Sequence, residues 1–410
     1  MSIKSCFPWV ILVSFFLTSC DANNSSSQKE GNMAQFSEGS FGFDLQFLQQ
    51  HDSELVVLES GNSKIIVSPK YQGKVFTSTA NGDSGMSYGW VNYKAFTGQP
   101  DPHMNAYGGA DRFWLGPEGG KFSLYFKQGD SMVFNNWKTP AAIDTEPWEK
   151  SSANHFSVSM VKDADLTNYA GTRLQMKLGR TVEIVDKKAM AAELNTLIPD
   201  EVSSVGFITV NSIENTGPNE WTKETGAPCI WNLDMLMPSE KCIIVIPYEE
   251  GGSGKIATTD YFGEVAADRI KMQNGTIFFK ADGKSRGKIG VGPARVKNIA
   301  GSYDPVNQLL TIAQFDITPG SRYLNQEWTT SKDAYSGDAM NAYNDGPLDD
   351  GSQMGPFYEI ESVSPPAFLK PGEKLTHRHS LFQFTGSRQQ LNDLAISLLG
   401  VSLDEIEKSL

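Results

Sequence analysis

Two carboxylates and two imidazoles stand close together near the end of this 410-residue chain. Tyr358-Glu359-Ile360-Glu361-Ser362 is followed by a Pro371-Gly372 turn and then by His377-Arg378-His379. Side chains two residues apart on a strand project from one face, so Glu359 pairs with Glu361 and His377 with His379. A turn at Pro371-Gly372 lets a second strand, starting near Leu375, return both histidines beside the glutamates. Carboxylates and imidazoles aimed at one point can exchange protons with a substrate or hold a divalent metal. The catalytic candidates are therefore Glu361, Glu359, His377 and His379. A metal is not required; one would use His377, His379 and Glu361. The chain has only five histidines, so two here form a concentration. The alternative is an exposed His-Arg-His edge.

Three further segments concentrate polar and aromatic side chains. In 108–120, paired glycines let backbone approach a ligand closely. Arg112 and Trp114 share a strand face there, offering a cation and a stacking surface, while an Arg112–Glu118 ion pair is the structural alternative. Trp231, in 226–235, is either a sugar platform or a core residue. Asp338, Asn341, Tyr343, Asn344 and Asp345 mix donors and acceptors as sugar hydroxyls require. The same stretch contains an ordinary Asn-Asp-Gly turn, and its acidic residues lack regular calcium spacing.

The elements that must position these groups read as strands. Short β-branched and aromatic runs at 55–59, 64–68, 75–78, 121–126, 205–211, 242–248, 277–279, 309–315 and 375–384 are separated by Gly, Asn, Asp or Pro. That pattern predicts an all-β sandwich of mainly antiparallel strands rather than βαβ units. A short helix is expected over 43–50. A helical tail over 387–409 is expected from the Ser387/Gln390 capping box, the helical spacing of Leu391, Leu394 and Leu398, and a stop at Gly400. Cys229 and Cys242 flank a presumed hairpin turning near Ser239, which separates them too far for a disulfide and leaves two buried thiols.

The start of the chain has a lysine, an apolar run from Val10 to Leu17, and then Thr18-Ser19-Cys20. This is the layout of a secretory signal over 1–19. The Leu-Thr-Ser-Cys sequence resembles a bacterial lipobox and implies lipidation at Cys20. A polar tether over 20–34 and one domain over 35–410 would follow. The expected location is the envelope of a Gram-negative bacterium, with the domain held at a membrane surface. A net charge of −13 without a basic cluster argues against nucleic acid as partner. Eight tryptophans leave carbohydrate open.

On segments 68–75, 108–120, 337–346 and 355–379, the chain resembles the galactose mutarotase-like (aldose 1-epimerase-like) superfamily. Within it the chain is most similar to an uncharacterised group of secreted Bacteroidetes lipoproteins. The resemblance implies a large β-supersandwich and a late-strand glutamate acting as base at the anomeric hydroxyl, matched by Glu361 with Glu359 as rival. It also implies a mid-chain histidine as acid, but Trp231 and Asn232 stand in that region, so His377 or His379 would have to substitute. The leading expectation is a carbohydrate-active enzyme moving protons at or near the anomeric carbon, by epimerisation or elimination. The alternatives are a noncatalytic glycan-binding lipoprotein and a structural surface protein.

Overall fold

In the computed structural model, residues 36–348 and 350–410 are described. The expected signal, Cys20 and the tether lie outside them. Residues Phe36–Leu410 form one unit, built from three antiparallel sheets of ten, five and three strands. The ten-stranded sheet runs from the Ile270–Gln273 edge through Ile243–Pro247, Leu309–Phe315, Lys374–Thr385 and Ser203–Asn215 to Glu149–Ala153 at the other edge. The five-stranded sheet has the order Gly287–Val291, Met340–Asn344, Tyr358–Val363, Cys229–Leu236, Arg112–Gly116. The expected β-sandwich is what the chain forms.

Alternation explains the large sheet. In Arg173–Val185 the inward positions Leu174, Met176, Leu178, Arg180, Val182 and Ile184 are buried, while intervening residues are more open. The five-stranded sheet shows no such rhythm, because every residue of all five strands is buried. One face meets the large sheet and the other lies under loops, as expected of strands covered on both sides.

Helices cover the large sheet from outside. Ser387 caps Arg388–Leu399 in a full capping box, Gly400 ends it at φ 75°, and Ser402 caps Leu403–Glu407 in the same way. Leu391 and Leu394 pack with Val245, Leu310, Phe382 and Phe384. The early helix spans Phe41–His51. Lys187–Glu193, capped by Asp186, is a further helix that the sequence reading did not anticipate. Among the described residues no helix is long and apolar enough to cross a membrane.

Three expectations change. Residues 121–126 form an irregular loop rather than a strand, with Phe122, Leu124, Tyr125 and Phe126 all buried. Its backbone N–H groups close turns instead of a ladder, Ser123 N donating to Gly120 O and Leu124 N to Pro117 O. The presumed 229–248 hairpin is a crossover, since Cys229–Leu236 and Ile243–Pro247 belong to different sheets. Both cysteines are free and buried. The strands carrying the glutamates and the histidines are likewise in different sheets rather than paired.

The C-terminal capping box gives a direct check. Ser387→Ala should lower the unfolding free energy by about 1 kcal/mol, and Ser387→Gly by only a few tenths, in urea titrations.

Candidate functional site

The Tyr358–Val363 strand sends alternate side chains to opposite faces of the five-stranded sheet. Ser362 faces the large sheet, where its Oγ meets His377 Nε2 at 2.8 Å and His379 Nδ1 at 2.9 Å. Glu359 and Glu361 therefore point the other way, to the loop-covered outer face. The structure does not bring the glutamates and histidines together. The reason is parity: residues 359 and 361 cannot share a face with 362.

On the outer face both carboxylates have cationic partners. Arg112 donates to Glu359, not to Glu118. Glu361 Oε2 accepts from Lys288 Nζ at 2.9 Å and from Trp231 Nε1 at 2.8 Å, while its buried Oε1 has no hydrogen-bond partner among the described residues. The Arg112 guanidinium lies 4.8 Å from the Trp114 ring centroid and Lys288 Nζ 4.7 Å from that of Trp231. Trp114 and Trp231 meet edge to face at 5.8 Å. Both indoles are buried, and they serve the cations more directly than as open platforms.

The imidazoles belong to a polar network sealed between the sheets. His379 Nε2 lies 2.9 Å from Asp234 Oδ2. Arg180 pairs with Asp111 at 3.2 Å, and Asp111 also accepts from Asn232 Nδ2 at 2.9 Å. Asn211 bridges Arg180 and Asn232. Burial pushes the His377 imidazole down to about 3, and the neighbouring His379 adds to this. Burial also disfavours charge on His379, but the Asp234 carboxylate outweighs it and holds that imidazole above the usual range. Burial pushes Asp234 up to about 6 against the pull of His379. The His377, His379, Glu361 metal set is split between two faces. Among the described residues no three His, Cys, Asp or Glu side chains gather as metal ligands.

A cleft of about 1100 Å³ opens on the outer side, lined by Glu118, Tyr261, Arg286, Lys288, Tyr343 and Asp345 among others. Burial pushes the Glu118 carboxyl up, Lys288 and the Trp328 indole pull it down, and the nearby Glu361 charge pushes it up again. Tyr343 OH donates to Asp345 Oδ1 at 2.8 Å, and Gly355 N to Oδ2 at 3.1 Å. Tyr261 OH donates to Asp338 Oδ2 at 2.7 Å and accepts from Asn341 Nδ2 at 3.1 Å. Asn344 lies on the inner face, accepting from Gly283 N and donating to Ser285 O, so it clamps a loop rather than lining the cleft. Gly108 has φ +91°, and a Cβ there would stand 2.0 Å from Trp90 O. Its backbone approaches Trp90, not a ligand.

Sequence reasoning missed Lys288, Tyr261 and Arg286. Lys288 was detectable, since a lysine inside the Gly-Lys-Ile-Gly-Val strand needs a buried partner. Trp90, Trp137 and Trp328, which also line the cleft, carried no local signal.

The profile of a family of unknown function, DUF6786, matches residues 39–410. No curated protein matches the chain. Among solved structures, a candidate aldose 1-epimerase from Escherichia coli K12 is similar at 14% identity and TM-score 0.49, covering 80% of this chain and 98% of its own. A galactose mutarotase-like protein from Lactobacillus casei is similar at 10% identity and TM-score 0.45, covering 80% and 99%. A candidate mutarotase from Salmonella typhimurium is similar at 11% and 0.46, covering 81% and 90%.

The interior network predicts a pH effect. His377 is held well below its usual 6.5 when folded, so below that pH the unfolded chain binds the extra proton. Its contribution to stability is thus lost as pH falls from 6.5 toward about 3. In His377→Gln, denaturation midpoints should fall less steeply across that window than in the parent.

Proposed function

From the premise that this chain belongs to the DUF6786 family, we propose that it is a carbohydrate-active protein. Its outer cleft would bind a sugar, and Glu361 would move a proton at or near the anomeric carbon. One observation carries this reading: the Glu361 carboxylate is fixed through Oε2 by Lys288 and Trp231 while Oε1 has no partner among the described residues. A carboxylate oriented through one oxygen, with the other free, suits a general base. The charge of Glu361 is felt by Glu118 and Tyr261, both of which line the cleft.

In this reading Glu361 takes the proton of the anomeric hydroxyl, C1=O forms, and the C1–O5 bond breaks. Glu118, its carboxyl pushed up by burial, gives a proton to the departing ring oxygen. Reclosure on the other face of C1 returns both protons and exchanges the anomers. With a leaving group on the neighbouring carbon, the same pair would support elimination. Glu118 thereby takes the acid role that was expected of His377 or His379.

A noncatalytic glycan-binding reading has its own support, because Glu361 is fully buried and its charge is already matched by Lys288. The two readings separate by NMR of aldoses at anomeric equilibrium. The enzyme reading expects exchange between anomers, cut about 10²–10⁴-fold by Glu361→Gln and by Glu118→Gln with binding retained. Binding without exchange in the parent protein would leave only the binder.

The proposal includes a lipid anchor at Cys20 in a bacterial envelope, supported by the Leu17-Thr18-Ser19-Cys20 sequence alone. Labelled fatty acid should enter the parent protein in cells and not Cys20→Ala.

A further inference from the structure

The aromatic wall of the cleft is a ladder of nearly parallel rings. Trp328, whose indole acts on the Glu118 carboxyl, lies 6.0 Å from Trp137 at 24° between planes. Trp137 lies 6.1 Å from Phe134 at 20°, and Phe134 4.5 Å from His103 at 28°. All four line the cleft. The ladder therefore runs along the cleft from Trp328, beside Glu118, to His103. It is pinned from below, since Tyr125 stacks on Trp137 at 8° and His103 Nδ1 lies 2.6 Å from Trp137 O.

Phe134 is 58% exposed although its ring is held between two neighbours. An apolar ring fixed in place and left open has already lost the rotamer freedom that binding would otherwise cost. On the cleft lining, Trp137 Nε1 and Gln326 Nε2 are among the buried donors without an acceptor among the described residues. Buried donors of this kind call for an acceptor oxygen. The cleft's roughly 1100 Å³ also exceeds what a single sugar ring fills, since pockets of about 300–1,000 Å³ serve much larger drug-sized molecules.

We infer that the cleft takes an oligosaccharide rather than a free monosaccharide, with a ring remote from the reacting one stacked on Phe134 and Trp137. The C–H face of a pyranose is flat and apolar, so it covers a fixed aromatic ring, while its hydroxyl oxygens supply acceptors for the orphaned donors. This rests on the carbohydrate reading above and names the class of sugar.

The test is calorimetric titration of the full chain with free monosaccharides and with plant and host oligosaccharides built from them. At least one oligosaccharide should bind ten-fold or more tightly than its own monosaccharide. Phe134→Ala should remove that advantage and leave monosaccharide binding unchanged, and Phe134→Trp should restore it. Equal affinity for single and linked sugars, or an advantage untouched by Phe134→Ala, overturns the inference while leaving a sugar site. Failure of every sugar to bind overturns the carbohydrate reading itself, and the inference with it.

Discussion

Everything at the outer site depends on partnering two carboxyl groups inside a covered sheet, where burial pushes Glu359 up to about 7 against the pull of Arg112. Taking an ionised carboxylate out of water costs several kcal/mol unless a partner and further hydrogen bonds replace the solvent. The five-stranded sheet meets that demand across its own ladder. Arg112 answers Glu359 from the edge strand, and Lys288 answers Glu361 from the opposite edge. Each cation also rests on an indole, so its alkyl stem and charge are both accommodated. Because the partners come from the two edges, the acidic strand must lie between them. Strand order and site chemistry are one constraint.

The inner face repeats the solution with a mixture of ionic and neutral groups. Asp111, Arg180, Asn211, Asn232, Thr209, Asp234, His379, Ser362 and His377 link the two sheets by hydrogen bonds within the core. Such a network adds less net stability than apolar packing would, yet it penalises a register slip heavily, because any shift orphans several buried groups. Its place between the sheets explains why two histidines two residues apart need no ligand. Ser362 and Asp234 satisfy them.

The sequence showed the period of each strand but not the identity of its neighbours. Same-face pairing of 359 with 361 and of 377 with 379 followed from alternation alone, and the capping boxes at Ser387 and Ser402 are local chemistry that needs no tertiary knowledge. What alternation cannot say is which sheet a strand joins. A Pro-Gly turn between two strands resembles a hairpin whether the strands pair or cross to opposite sheets. That ambiguity put the imidazoles beside the wrong residue of the right strand. Residues 121–126 misled for a related reason: an aromatic run reads as a strand, but here it packs as a lid of rings over a sheet already buried on its other side.

Charge balance sets what Glu118 can do. Glu359 with Arg112 and Glu361 with Lys288 form two pairs, and the positive charges that reach a third carboxyl beside them, Lys288 and Arg286, lower it only in part. Burial then governs it, and the Glu361 charge adds to the upward push that Lys288 only partly offsets. A carboxyl in that position favours its protonated form more than one in water does. An acid held toward its protonated form can give a proton while a neighbour takes one. In the proposed reading, the same pairing that makes Glu361 tolerable in the fold leaves Glu118 as the store of the exchangeable proton.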